Sequence, residues 1–283
     1  FHFLSGETIL PWKLRAFELA CYKLSGKKII MHFVGSDIRC EDYLKEKNDH
    51  LAEYVAGNYR IKTPVSSELQ KKLIAQARKY ANCLIVSTPD LLQIIPEARY
   101  LPVFIDTSDL PVHQPQKQPE PIRILHAPSA SNTKGSQYIH EALDELKNEF
   151  KGAIEIVVPG KTLRPGETYS LTRYELFSEF GKSHIVIDQL LIGWYGLKSV
   201  EALYLGCEVC CYIEPDTQRY LAQDNPIHPV NALNLKTELH HLILELIDRK
   251  DVAHQRTQTL RNFVQKEHTI ENYTDFFTNL WTH

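Results

Sequence analysis

Apolar positions along the chain fall into two alternating patterns. Over 12–24 they recur at helical spacing (Leu14, Phe17, Leu19, Ala20), and 68–80 shows the same period. Between and after these helices lie short continuous apolar runs at 28–33 and 83–87, each ending in polar turn residues. Thr88-Pro89-Asp90 reads as a helix start, with threonine as N-cap and proline in the first turn. The pattern then restarts. It predicts strands at 122–127, 153–158, 183–188 and 208–213, and helices at 135–150, 169–180, 196–204, 236–248, 251–267 and 271–281. Short strands alternating with helices predict parallel sheets joined by right-handed crossovers. The expected fold class is therefore α/β, with two doubly wound Rossmann-like domains whose ligands sit at strand C-termini.

The break between the two series is compositional. Pro111, Pro115, Pro119 and Pro121 lie in a stretch with little apolar content, which predicts an extended linker. The expected organisation is a domain over 1–110, a linker over 111–121 and a second domain over 122–265. A C-terminal helix over 266–283 is expected to pack back on the first domain. Phe1-His2-Phe3 reads as the interior of a strand, so the first domain is expected to be incomplete at its N-terminus. Its strands near 1–3 and 28–33 would then lack a neighbour between or beside them.

Charge narrows the partners. Of 283 residues, the first 110 carry 15 Lys+Arg and 13 Asp+Glu, and the remainder 17 and 22. Neither part has the basic stripe of a nucleic-acid binder. No apolar run approaches the roughly 20 residues of a membrane-spanning helix, although the mildly basic first part permits peripheral contact with an anionic lipid surface. Six cysteines at 21, 40, 83, 207, 210 and 211 follow no framework spacing, which points to a reducing, cytoplasmic setting. Cys207 and Cys210 flank and enter a buried strand, where residues three apart face opposite ways, so they read as core side chains.

The most informative segment is Gly193-Trp194-Tyr195-Gly196, which runs into a helix carrying Glu201. A helix N-terminus offers unpaired N–H groups and a positive dipole end, which suits phosphate. The glycines allow close approach of the backbone, and Glu201 can accept from sugar hydroxyls. Trp194 and Tyr195 are candidates to stack on a base or sugar, or only to pack between the domains. These parts describe a nucleotide-sugar site. Lys134, next to Gly135 at another helix start, opposes that helix's dipole, and a ligand anion would explain it. In the first domain His32 is a candidate contact to acceptor or donor, and Asp37 with Arg39 reads either as functional or as a structural ion pair.

Several of these runs resemble the GT-B glycosyltransferases, specifically the retaining group called family 4. The first half carries His32-Phe33-Val34-Gly35-Ser36-Asp37-Ile38-Arg39, similar to the family's H-x-H-G-S-D-I-R. It also carries Ser87-Thr88-Pro89-Asp90-Leu91-Leu92 and Leu101-Pro102-Val103-Phe104-Ile105-Asp106. In the second half, Ile124-Leu125-His126-Ala127-Pro128-Ser129 with Lys134-Gly135-Ser136 resembles the first strand and phosphate loop of the donor domain. The run from Asp188 to Ile213 resembles the donor-sugar loop and nucleotide helix.

The resemblance implies a metal-independent hexosyltransferase of polysaccharide biosynthesis, working in the cytoplasm or peripherally at the inner membrane face. It would move sugar from a nucleoside-diphosphate donor, with no further cofactor, to a glycan or glycolipid. Lys134 and Gly135 would hold the diphosphate, Gly193 to Gly196 would wrap diphosphate or sugar, and Glu201 would hold the ribose. His32 and Asp37 would serve the catalytic face. Many members carry two glutamates eight positions apart; Glu201 is the second, and Gly193 stands at the first. Asp188 or Gln189 is then the candidate to face the sugar. Val34 replaces the pattern's second histidine, and no arginine precedes Lys134 in the loop. These departures leave two alternatives, a catalytically silent binding protein of the same fold and a nucleotide-sugar epimerase.

Overall fold

The computed structural model describes residues 1–40, 43, 67–110, 121–128, 131–159, 171–248 and 253–282. The linker expected over 111–121 lies, up to residue 120, outside the described residues, as do 129–130 of the expected phosphate loop. The chain divides into two compact units, Phe1–Val103 and Phe104–His283.

The first unit is a four-stranded parallel sheet ordered β1-β2-β3-β4 (His2–Leu4, Ile30–Phe33, Cys83–Val86, Arg99–Tyr100). Helices α1 (Arg15–Leu24) and α2 (Ser67–Tyr80) pack with it. All four β2 residues are buried, as expected of a strand covered on both faces. Phe3, Leu19, Met31, Phe33, Leu73 and Val86 share one core, each contributing about 1.5–3 kcal/mol by leaving water. Contrary to the sequence expectation, β1 and β2 have no gap between them: His2 pairs with Ile30 and Leu4 with His32. The described strands run in sequence order, so the reversal of a doubly wound sheet is not among them.

The second unit has that reversal. Its five parallel strands are ordered β6-β5-β7-β8-β9, with β5 Ile122–Leu125, β6 Ile154–Val157, β7 Ile185–Ile187, β8 Glu208–Cys211 and β9 His228–Pro229. Order reverses at β5, which pairs with both β6 and β7, so the switch point lies beyond the carboxyl ends of β5 and β7. The helices are α3 (Ser131–Lys134), α4 (Ser136–Glu149), α5 (Arg173–Lys182), α6 (Leu197–Tyr204), α7 (Leu235–Asp248), α8 (Ala253–Glu267) and α9 (Ile270–Thr282).

Local chemistry fixes the boundaries. The helix predicted over 135–150 starts at Ser136 because Gly135 takes φ +71°, a left-handed conformation that favours glycine. The helix predicted from 169 starts at Arg173 because Thr172 and Glu175 form a reciprocal capping box. Cys207, Cys210 and Cys211 are buried as core side chains, the Cys207 thiol donating to Phe180 O at 3.1 Å. No helix among the described residues is long and apolar enough to cross a membrane.

Candidate functional site

At the switch point of the second unit, the loop after β5 and the loop after β7 bring together the residues that the sequence separates. His126, wholly buried, bridges them: its Nδ1 lies 2.8 Å from Ile187 O and its Nε2 2.8 Å from Ser136 Oγ. Burial pushes this imidazole down to about 4, so it is neutral at pH 7 and acts as a strut.

Asp188 is the centre of the arrangement. Its Oδ1 accepts from Lys134 Nζ at 2.6 Å, and its Oδ2 accepts from Ser199 Oγ at 2.7 Å and Gly196 N at 3.4 Å. Burial pushes this carboxyl up, but Lys134, Ser199 and Gly196 outweigh it and hold it below the ordinary carboxylate value. Both oxygens are engaged, and one of them sits at the N-terminus of α6. The carboxylate thus sits at the head of α6, the place that the sequence reading offered to a phosphate. Gln189 is committed too. Its amide donates to Ile192 O and to Trp194 O (3.0 Å), and its Oε1 accepts from Leu191 N (2.9 Å) and Ile192 N (2.6 Å). It organises the glycine loop from inside.

The anion-binding capacity lies one element away. α4 has Gly135 as its N-cap, with no side-chain cap and no acidic residue in its first turn, so no side chain of its own offsets the positive dipole end. Lys134 immediately precedes it. Lys198, in the first turn of α6, donates to Ala127 O at 2.8 Å. Burial first, then Lys134, lowers the proton affinity of Lys198, against the pull of Asp188 and Glu201. Lys134 at an uncapped helix start, and Lys198 reaching the loop that leads into it, suit a multiply charged anion.

Glu201 is 3% exposed on α6. Its Oε1 lies 3.1 Å from Arg173 of α5 but lacks a well-directed hydrogen bond. Burial pushes its carboxyl up, while Arg173 and Lys198 oppose that. A partly satisfied buried acceptor of this kind fits paired hydroxyls. Trp194 and Tyr195 are each 3% exposed. They stack on one another with ring centroids 4.9 Å apart, and Tyr195 Oη lies 3.2 Å from His268 Nε2. They are packed inside the second unit, against one another and His268. Gly193 is required by space: a Cβ there would lie 2.6 Å from Glu214 Cβ.

In the first unit, His32 is 4% exposed on β2, between His2 Nε2 (3.2 Å) and Ser87 Oγ (2.8 Å). Burial, then His2, pushes it down to about 4. Asp37 accepts from Val34 N, Gly35 N and Ile38 N at 2.7–3.1 Å, closing the loop after β2. The Asp37–Arg39 pair expected from sequence does not form. Arg39 instead bonds Asp90, Nε to Oδ2 at 2.8 Å, and donates to Thr88 Oγ1 at 3.1 Å. Thr88 therefore spends its hydroxyl on Arg39 and makes no cap bond to the 3-10 turn at Pro89–Gln93. Beyond the carboxyl ends of β1 and β2 lies a cavity of about 510 Å³, lined in part by Trp12, Arg15, Asp37 and Gln76.

The chain is similar over nearly its whole length to several solved structures. One is sucrose-phosphate synthase from Thermosynechococcus elongatus, with TM-score 0.57, 12% identity, and coverage of 99% of this chain and 72% of that one. Another is S. aureus TarM, in complex with fondaparinux, α-GlcNAc-glycerol and UDP, with TM-score 0.61, 15% identity, and coverage of 91% and 51%. A third is Anabaena HepE in complex with UDP-glucose, with TM-score 0.58, 10% identity, and coverage of 96% and 77%. The fold is GT-B. The chain spans about half the length of TarM. No protein-family model and no curated protein matches the sequence.

Within this GT-B frame, the structure brings Lys134, Gly135, Asp188, Gly193, Gly196 and Glu201 together in one unit and places His32 and Asp37 in the other. Sequence reasoning missed Lys198, Arg173 and Glu214. Lys198 had a legible signal, a lysine in the first turn after a glycine loop. Arg173 and Glu214 had none, since their roles depend on which helix or strand lies alongside. Among the described residues, no three His, Cys, Asp or Glu side chains converge as metal ligands.

Proposed function

We propose that this protein is a retaining glycosyltransferase that moves a hexose from a nucleoside-diphosphate sugar to a glycan or glycolipid acceptor. The observation that carries the reading is Lys134 at the uncapped start of α4, with Lys198 reaching the loop after β5 (Nζ to Ala127 O, 2.8 Å) and Glu201 buried on the same helix as Lys198. These groups suit a diphosphate and a ribose. The leaving diphosphate gains negative charge as the glycosidic bond breaks, and preorganised cations and N–H groups stabilise that charge in the transition state. Two ammonium groups can neutralise it without a metal or a further cofactor. Retention would follow from attack on the face the diphosphate leaves, with the diphosphate taking the acceptor's proton.

The nucleotide would shift Lys134 part-way from Asp188 towards phosphate. Asp188 would remain bonded to Ser199 and Gly196, so its part is to position Lys134 and α6. The acceptor would belong to the first unit, near the loop after β2 that carries Asp37, with His32 holding that strand end through His2 and Ser87. The resemblance to polysaccharide-building enzymes supports a cytoplasmic setting, with peripheral membrane contact for a lipid-linked acceptor. UDP and UDP-glucose in the TarM and HepE structures make UDP-sugars the first donors to test.

A second reading, a silent binding protein of the same fold, is favoured by Asp188 at the head of α6, where it competes with phosphate. Product analysis separates the two. Incubation with UDP-glucose and a panel of glycan acceptors should give a glycoside whose anomeric proton, by NMR, keeps the donor's α configuration. An inverted product would contradict retention, an altered donor sugar would indicate epimerisation, and bound but unchanged donor would support the silent reading.

A further inference from the structure

The cavity of the first unit has its own chemistry. It opens where β1 and β2 end, the edge at which parallel sheets bind ligands, and about 510 Å³ is the size of a small-molecule site. One wall is the turn after β1, in which Ser5 (φ 56°) and Gly6 (φ 66°) are both left-handed. A serine in that region is strained, and such strain gathers at ligand sites. The turn has no room to relax: a Cβ on Gly6 would lie 2.6 Å from Leu73, another lining residue.

The lining is cationic and contains an aromatic face. Lys13, Arg15 and Lys72 stand against Glu7 and Asp37. Asp37 is spent on loop N–H groups. Lys72 is held by Glu68 at 2.6 Å on the surface. Arg15 remains. It opens α1, where a cation opposes the helix dipole, and its Nε is buried with no hydrogen-bond partner among the described residues. Burial is the largest influence on it and lowers its pKa, although Glu7 and Glu18 pull the other way. Glu18 is already engaged by Ile9 N, Leu10 N and Tyr22 Oη at 2.8–3.1 Å. Gln76 Oε1 is likewise buried without a partner. Trp12 is 52% exposed, with Lys13 Nζ 5.8 Å from its ring centroid.

A half-buried guanidinium whose Nε–H has no acceptor loses solvation it does not regain, and a ligand anion offsets that loss more than a neutral ligand does. We propose that this cavity binds an acceptor glycan that carries an anionic group, phosphate or carboxylate, with Arg15 receiving the anion and Trp12 lying against the sugar ring. Gln76 Oε1 accepts from a ring hydroxyl. This names the acceptor class and rests on the glycosyltransferase reading only for the word acceptor; the binding itself does not need it.

The test follows the Trp12 indole N–H in ¹H–¹⁵N spectra of the full chain, assigned by its loss in Trp12→Phe. Glucose 1-phosphate, glucuronic acid and glucose are titrated separately without nucleotide. At least one anionic sugar should shift that signal at roughly tenfold or more lower concentration than glucose, and the stronger of the two identifies the anion. Arg15→Gln should remove this preference, while Arg15→Lys, which keeps the charge, should retain part of it. Equal response to all three sugars, no response, or a preference that survives in folded Arg15→Gln would overturn the proposal. Calorimetry of the same sample with UDP bears on the donor site alone, so failure of one reading is distinguishable from failure of the other.

Discussion

Glu214 occupies the space in front of Gly193: its Cβ lies 2.6 Å, and its Oε2 2.9 Å, from where a Cβ on residue 193 would be. The two are also tied through the backbone, Glu214 N donating to Gly193 O at 3.0 Å. The glycine loop therefore has a carboxylate against it that comes from the strand-end after β8.

Gly193→Ala should accordingly cost about 1–3 kcal/mol, the range for forced overpacking. Glu214→Gly in the same chain, which removes the Cβ that an alanine at 193 would meet, should recover a large part of that loss. A double-mutant cycle by urea unfolding measures the coupling. Additive effects would show that the contact does not limit residue 193.

The Lys134–Asp188 pair predicts a stability effect that sequence reasoning did not anticipate. With Asp188 buried and Lys134 16% exposed, Lys134→Ala leaves a buried carboxylate without its cation. We expect a loss of about 2–4 kcal/mol, together with weaker nucleotide binding. Asp188→Asn should cost less stability, because its neutral amide can still accept from Ser199 and Gly196. Thermal melts of both variants without ligand check the order.

Most of the fold was legible in sequence, because its signals are local. Among the described residues, period and strand spacing located each α-helix of eight or more residues, within a few residues at the ends. Gly135 and the Thr172–Glu175 box explain two of the shifted starts. The site was legible only where one segment carries it. Gly193 to Glu201 was found, but the partners of Asp188, Gln189 and Arg39 were not. Those depend on contacts 50 or more residues away for Lys134–Asp188 and Arg39–Asp90, and on a side chain folding back on its own loop for Gln189. The burial of Trp194 and Tyr195 was equally out of reach, since aromatic residues after a glycine read the same whether they face ligand or core.

Acid should unfold the protein in two windows. His32, His126 and His184 are pushed down to about 4, in each case chiefly by burial. Their folded values lie below the unfolded one, so the unfolded state takes up protons first. Stability present above about pH 6.5 falls as pH drops towards 4, by up to about 2–3 kcal/mol per histidine. Burial pushes Glu208 up, but Arg256 and His228 hold it at about 2. Its contribution is present above about pH 4.5 and is lost as pH falls through 2. Urea midpoints from pH 8 to pH 3 should decline from about 6.5 downwards, and His126→Asn should flatten the first window if the variant folds. A flat profile between pH 7 and 5 would contradict the burial of these rings.

Glu201→Gln should separate stability from binding. The buried carboxyl is already pushed up by its surroundings, so the neutral amide should leave the melting temperature unchanged or raise it. A glutamine accepts less strongly from ribose hydroxyls, and nucleotide affinity should fall by about 1.5–3 kcal/mol. Lost stability with unchanged affinity would assign Glu201 a structural role.

Calorimetric titration of the unmodified chain with UDP, GDP and their sugars tests the central claim most directly. At least one nucleoside diphosphate should bind in the micromolar to low-millimolar range, and binding should weaken on Lys134→Ala and on Lys198→Ala. Absence of binding by all of them at millimolar concentration, in protein shown by circular dichroism to be folded, would contradict a nucleotide-sugar site at the β5–β7 switch point.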